Sequence, residues 1–420
     1  MTRDGRAPAH LGYPGRMSGR LRIWIALALA CLWPAQAMAA IPNGQTTDPL
    51  ERGVLLSLGS IFRVETTVSV SALRTRTGTT YPLGHIHTVT LLGTAFAVAP
   101  TGVLVTDAHV AAPFGAPLAV AAAPLALAQL GKFGQEPAYQ AWVDANDVMP
   151  VGVHVIGMRV WRATADPKVH GTPIPARIIG GSVEQNADLA LLQLSDTAVP
   201  ALLLNDGSET LETPIASLGY GVGTATTLGL PTTLVPDVKV GQIGPTNTKP
   251  VKAAPGQTVT YISSPISRGD SGGPVVDQTP RVYGIVRFQY LSGGVLEQSQ
   301  AIADLLGRMH VKNANGTVFN EFKLGMNDLW AGNYVGAQAA FAATLRDDPT
   351  HPLAAQEALL ATRLAHAKPA AGRPAWWRVL FVGIAFIAAL ATLLCVWRLR
   401  RLGRVRDGHD DTAPQLPPAQ

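Results

Sequence analysis

Ser271 stands in the run Arg268-Gly269-Asp270-Ser271-Gly272-Gly273-Pro274. A serine hydroxyl is a poor nucleophile at neutral pH. It becomes a good one when a turn presents it beside a base and beside backbone N–H donors. The glycines around Ser271 allow such a turn and let a substrate carbonyl approach the backbone closely. The base this chemistry needs is a histidine held by a carboxylate. Of the ten histidines, His109 has the most suggestive setting. It follows Gly93-Thr94-Ala95-Phe96-Ala97-Val98, the turn Pro100-Thr101-Gly102 and Val103-Leu104-Val105-Thr106-Asp107-Ala108, which read as strand, tight turn, strand. Asp188 opens the apolar run Leu189–Leu194, where a carboxylate can be shielded from water and aimed at an imidazole. Asp166, Asp196 and Asp206 also lie between His109 and Ser271 and stay open as alternatives, while Asp107 is too close to His109 in sequence for an orienting group. His85 and His87 would share one strand face, but no third ligand stands near them, so an ordinary strand is expected and no metal site.

These elements must be positioned by a β-rich scaffold. Strand-like stretches such as Ile174–Ile179, Ile215–Tyr220 and Val282–Phe288 recur through Gln289, separated by Gly, Pro, Asn and Asp turns. From Gly53 to about Val70 the pattern allows either a strand or a helix.

The order His, Asp, Ser and its flanks resemble trypsin-like serine peptidases, in particular their bacterial HtrA/Deg-type branch. The Gly-Thr-Ala-Phe strand, Val-Thr-Asp-Ala-His-Val, Ala-Asp-Leu-Ala-Leu-Leu and Gly-Asp-Ser-Gly-Gly-Pro carry the likeness, over roughly residues 53–305. The resemblance implies a mainly β fold, a double six-stranded Greek-key barrel with the site between the barrels. It implies Ser271 as nucleophile, His109 as base, Asp188 as the ring's holder and the N–H groups of Gly269 and Ser271 as oxyanion hole. It calls for a protein or peptide substrate and for no cofactor. By the same likeness Pro265, Ile266, Arg287, Phe288 and Gln289 shape the primary substrate pocket. With no acid at its base, the pocket would favour a small or apolar side chain unless Arg287 closes it. In the family an N-terminal amine freed by cleavage pairs with the Asp before the serine. A start at Ala40 or Ile41-Pro42-Asn43 does not suit that role, so Asp270 needs another partner, which the sequence does not name.

His109 and Asp188 are 79 positions apart, longer than such small domains usually need. The extra material is assigned to residues 111–150, read as a surface insertion beside the site with one helix over Leu125–Val143. It either gates substrates or is a tolerated loop.

Net charge is +5, but its distribution matters more. Residues 1–40 carry five Arg and one Asp, residues 373–420 carry seven Arg and three Asp, and residues 41–372 hold 21 Lys/Arg against 24 Asp/Glu. Positive charge flanks apolar segments, so nucleic-acid binding is not expected. Residues 1–39 read as a signal peptide: a basic start at Arg16, Arg20 and Arg22, an apolar centre Ile23–Trp33, and Ala37-Met38-Ala39 as cleavage site. Residues 379–397 lack any charge and read as a transmembrane helix, flanked by Trp376, Trp377 and Trp397. Five arginines among residues 398–406 put the 398–420 tail in the cytoplasm, and hence the body outside a bacterial cytoplasmic membrane. Cys31 and Cys395, the two cysteines, lie in these apolar segments, so the body needs no disulfide.

Residues 318–366 carry helical pattern. Residues 318–351 resemble one tetratricopeptide repeat (TPR) through Leu324, Gly325, Tyr334, Ala337, Phe341 and Pro349. One repeat rarely buries a full face alone, so it packs on the protease domain, pairs with another copy, docks a protein partner or acts as a spacer. A catalytically silent scaffold that uses this segment is the alternative to an active peptidase.

Overall fold

The computed structural model describes residues 45–132, 134, 136–164, 171–181, 187–195, 198–206, 210–221, 234–247, 259–290 and 292–366. The expected signal peptide, transmembrane helix and tail, and Asp166 and Asp196, lie outside them. Among the described residues no helix is long and apolar enough to cross a membrane.

The ambiguous stretch near Gly53 resolves into both alternatives. Helix α1 spans Pro49–Ser57, capped by Asp48, whose carboxylate accepts from the Leu50 and Glu51 amides. Strand β1 (Ile61–Arg74) follows after a single 3-10 turn. Strands β2 (Thr80–Ala99), β3 (Val103–Thr106), β4 (Met149–Arg162), β5 (Ala176–Gly181) and β6 (Ala190–Leu194) complete a six-stranded sheet in the order β4-β1-β2-β3-β6-β5. An isolated Val160–Ile174 bridge closes it into a barrel. Phe62, Val64, Leu104, Val160 and Leu192 fill this barrel. Replacing a buried Phe such as Phe62 by Ala typically costs about 3–5 kcal/mol.

The second sheet has seven strands, not six. Strands β7 (Leu203–Leu204), β8 (Pro214–Gly219), β9 (Asp237–Asn247), β10 (Val259–Ile262), β11 (Pro274–Val276), β12 (Arg281–Tyr290) and β13 (Gly293–Gln298) run in the order β11-β8-β9-β10-β13-β12-β7. Pairing of β11 with β12 closes six of them, and the two-residue β7 lies outside that ring, parallel to β12.

The insertion departs from its expected form. Between the short helix α2 (Ala108–Ala111) and β4 lie two helices, α3 (Gly115–Ala128) and α4 (Glu136–Asn146), instead of one. The β1–β2 hairpin runs far enough to give these helices a floor. Leu118, Ala122 and Leu127 of α3 and Tyr139 and Val143 of α4 bury against Val70, Leu73 and Leu83 of the hairpin. A helix apolar on all sides, as α3 is, must be covered all round. The insertion is therefore a small core of its own rather than a surface loop.

Helix α5 (Ser299–Arg308) ends the second barrel, and a connector leads to α6 (Thr317–Ala331), α7 (Tyr334–Asp347) and α8 (Ala354–His366). Gly332, at φ 78°, ends α6, and Asn333 caps α7, so the two helices turn back on each other within two residues. Any Cβ at Gly325 would stand 2.6 Å from the Phe341 ring, so a small residue there is what admits the phenylalanine between the helices. The segment lies on the barrels. The Asn313 side-chain amide donates to the Val98 and Leu202 carbonyls (2.8 and 2.9 Å), and Asn315 donates to Ala201 (2.7 Å). Arg162 of β4 forms a buried ion pair with Asp348, and the Arg52 guanidinium sits 4.5 Å above the Trp330 ring.

Candidate active site

The His109 ring is placed by α2, which Asp107 alone separates from β3. Asp188, just before β6, reaches it twice. Its Oδ2 lies 2.6 Å from His109 Nδ1, and its Oδ1 accepts the His109 backbone N–H at 3.0 Å. The Asp188 carbonyl also accepts from the Ala108 amide at 3.2 Å. Backbone and side chain are thus locked together, because β3 and β6 pair from Thr106–Ala190 to Val103–Gln193. Burial pushes the Asp188 carboxyl up. The His109 hydrogen bond and charge, the His109 amide and the Arg287 charge outweigh it and hold the carboxyl below its ordinary value. Asp206, exposed after β7, is not among the groups on this ring.

The Ser271 turn approaches the same ring from the second barrel. Gly269 (φ 95°) and Gly272 (φ 81°) adopt left-handed backbone that other residues resist. A Cβ at Gly272 would collide with the Thr94 carbonyl (2.2 Å), the Thr106 hydroxyl and the Asp107 amide (2.9 Å). The residue after Ser271 therefore rests on the backbone two residues before His109. Thr94 staples the barrels together: its N–H donates to the Ser271 carbonyl (2.9 Å), its hydroxyl to the Gly269 carbonyl (2.7 Å), and that hydroxyl accepts from the Tyr220 amide (3.0 Å). Among the described residues neither the Gly269 nor the Ser271 N–H meets an acceptor. The Ser271 hydroxyl donates to the Arg287 carbonyl at 3.4 Å and makes no hydrogen bond to His109.

Residues 93–285 match the family model of the trypsin-like peptidase domain. The mainly β fold is trypsin-like. Solved structures that it resembles include the Rv3671c protease of M. tuberculosis in its active form (15% identity, TM-score 0.39), over 66% of this chain and 93% of that one. Another is the HtrA-type protease AlgW with a decapeptide (15% identity, TM-score 0.40), over 62% and 66%. No curated protein matches the chain.

Within the matched region the partner of Asp270 is Lys239 of β9, in a buried ion pair. The same carboxylate oxygen accepts the Ser267 amide (2.8 Å) and hydroxyl (3.2 Å), and Lys239 Nζ also donates to that hydroxyl (2.8 Å). A Cβ at Gly221 would stand 2.4 Å from Lys239 Nζ, so a bare backbone makes room for the pair. Sequence reasoning missed Lys239 because alternation along Val238-Lys239-Val240 points the lysine outward. In the structure Lys239 is 8% exposed and Val240 52%.

The expected pocket residues divide. Ile266 is buried in the core of the second barrel with Ile262, Val275 and Leu296, so it faces inward rather than toward a substrate. The reason is Gly294, whose missing side chain leaves the space that Ile266 occupies. Pro265 and Gln289 are exposed and Phe288 is half-buried. Arg287 does not project into open space: its guanidinium is held by Glu297 of β13 at 3.2 Å. Burial pushes the Glu297 carboxyl up to about 7, with Arg287 pulling it down and Asp188 pushing it up. A cavity of about 330 Å³ lies beside the β12–β13 turn, between Tyr261 and Tyr290, and none of the five residues lines it. The insertion also touches the nucleophile turn: Arg268 donates to Gln140 of α4 at 3.0 Å.

Proposed function

We propose that the protein is a serine endopeptidase that cleaves peptide bonds through an acyl-enzyme. The two hydrogen bonds between Asp188 and His109, set against the Ser271 turn, carry this reading. Ser271 attacks the carbonyl, and His109 Nε2 takes its proton and returns it to the leaving amine. Asp188 keeps the Nδ1 proton in place and stabilises the imidazolium. The unpartnered Gly269 and Ser271 amides stabilise the oxyanion, and losing one such donor costs about 10²–10³-fold in rate. In the resting state the Ser271 hydroxyl is parked on the Arg287 carbonyl. A peptide N–H laid along β12 competes for that carbonyl and frees the hydroxyl to rotate toward His109, a change between staggered rotamers. Lys239 supplies inside the fold the positive charge that Asp270 needs. The apolar segment 379–397 and its arginines support anchoring in a bacterial cytoplasmic membrane with the body outside, where envelope proteins are the substrates. The helices from Thr317 onward, TPR-like in pattern, offer a site for a protein partner.

Wild-type protein should react covalently with a fluorophosphonate probe, and Ser271→Ala should lose all labelling while keeping its circular dichroism. A wild type that stays unlabelled, with protein substrates present as well, would sink the reading. The parked hydroxyl favours one second reading, a silent scaffold. Complete rescue of a deletion phenotype by Ser271→Ala would establish it.

A further inference from the structure

The buried acid beside the catalytic ring is not one but two. Asp107 is fully enclosed, and its Oδ2 lies 3.9 Å from His109 Nδ1, the same nitrogen that Asp188 holds at 2.6 Å. Among the described residues neither Asp107 carboxyl oxygen has a hydrogen-bond partner. The Gly272 amide pulls on this carboxyl less than any other group near it, and it donates to the Val286 carbonyl at 2.9 Å. A buried, unsatisfied carboxyl costs stability and calls for an explanation.

We propose that Asp107 is a second positioning carboxylate for His109, one that takes over the ring's Nδ1 when Asp188 is lost. The proposal rests on the peptidase reading of the site. In the intact site burial and the Asp188 charge push the Asp107 carboxyl well above its ordinary value, against the pull of Arg287 and with a further push from Glu297. In its protonated form Asp107 adds no negative charge and leaves the ring to Asp188. Removing the Asp188 charge takes away one of the influences that hold the Asp107 proton. The imidazole lies 3.9 Å from the carboxylate that forms, and a shift of the Asp107 side chain by about an ångström brings the two within hydrogen-bond distance.

The test uses the full-length protein with a fluorophosphonate probe, read as labelling rate against pH, in Asp188→Asn, Asp107→Asn and the double variant. Loss of the orienting carboxylate in a Ser-His-Asp triad costs about 10⁴-fold. Asp188→Asn is expected to lose only about 10²- to 10³-fold, and its remaining rate should climb with pH as Asp107 ionises. The double variant should lose at least another tenfold, and the climb should vanish. Equal rates for Asp188→Asn and the double variant at every pH overturn the proposal. The low-field Nδ1 proton resonance of His109 reads the contact without chemistry. It should persist in Asp188→Asn and disappear in the double variant, and its loss in Asp188→Asn alone overturns the proposal equally. If wild type never labels, the peptidase reading fails, and the resonance still decides the role of Asp107. If Asp107→Asn misfolds, Asp107→Ser in the Asp188→Asn background replaces it.

Discussion

Lys239 and Asp270 meet beneath the nucleophile turn, whereas Arg162 and Asp348 meet where the helical segment lies on the first barrel. Both pairs are almost wholly enclosed, and both carboxylates also organise a local turn. Asp270 holds Ser267, and Asp348 accepts the Thr350 amide (3.1 Å) and hydroxyl (2.9 Å). They differ in what lies next to them in the chain. Asp270 precedes Ser271, so its position sets the dihedrals that aim the serine hydroxyl. Asp348 follows the last turn of α7, so its position sets only how the helices lie. A buried pair gains little net stability over an apolar substitute, but breaking it is costly. The same interaction therefore serves geometry at one place and attachment at the other.

The comparison breaks most sharply at Lys239. Lys239→Met should lower fluorophosphonate labelling by about 10³-fold or more per folded molecule, with about 3–5 kcal/mol of destabilisation. Adding Asp270→Asn removes the stranded charge and should recover most of the stability, yet little of the labelling. Recovery of both would show that the pair only stabilises. Arg162→Met should cost a similar ~3–5 kcal/mol in urea unfolding while folded molecules label within about twofold of wild type. A large loss of labelling there would mean that the helices help to shape the site.

Acidity separates the regions next. His351 packs on Phe322 at 4.2 Å at the helical junction, and burial, aided by the Arg162 charge, pushes it down to about 3. Its unfolded form takes a proton near pH 6.5, so its contribution is complete above that value and is lost as pH falls toward 3. Glu297 beside the active site behaves oppositely. Raised to about 7 from 4.5, it favours folding fully below pH 4.5 and loses that contribution as pH rises to 7. His351→Asn should flatten stability against pH on the acid side, and Glu297→Gln between pH 4.5 and 7. Melting curves across pH 3–8 check both, and matching slopes in variant and wild type would refute either assignment. The smallest effect belongs to Gln140→Ala, which frees Arg268 from α4. Labelling should fall about two- to threefold with stability changed by under ~0.5 kcal/mol.

What was legible in the sequence follows from range. Residues 269–274 declare their turn because glycine and proline act on local dihedrals, and β2, β3 and the His109 position follow from alternation within a few residues. Lys239 was illegible because its partner is 31 residues away and its strand pattern points it outward. The two-residue separation from His109 argues against Asp107 as a partner of the ring, yet α2 turns there and brings its carboxylate within 3.9 Å of it. The single helix expected over Leu125–Val143 became two, since the break near Gly131 (φ 66°) lets α4 fold back over α3. Ile266 went inward because Gly294, 28 residues later, leaves it space.

The sequence by itself determined the chemistry available: a serine on a glycine turn, a histidine at a strand end and an acid opening an apolar strand, each written in neighbouring residues. Only the tertiary structure decided how these groups are held. It chose Lys239 for Asp270, parked the Ser271 hydroxyl on Arg287, enclosed a second acid beside His109 and laid the helices on the barrels. Each of these depends on which strands close a barrel, and so on contacts between residues far apart in the chain, which no local pattern records.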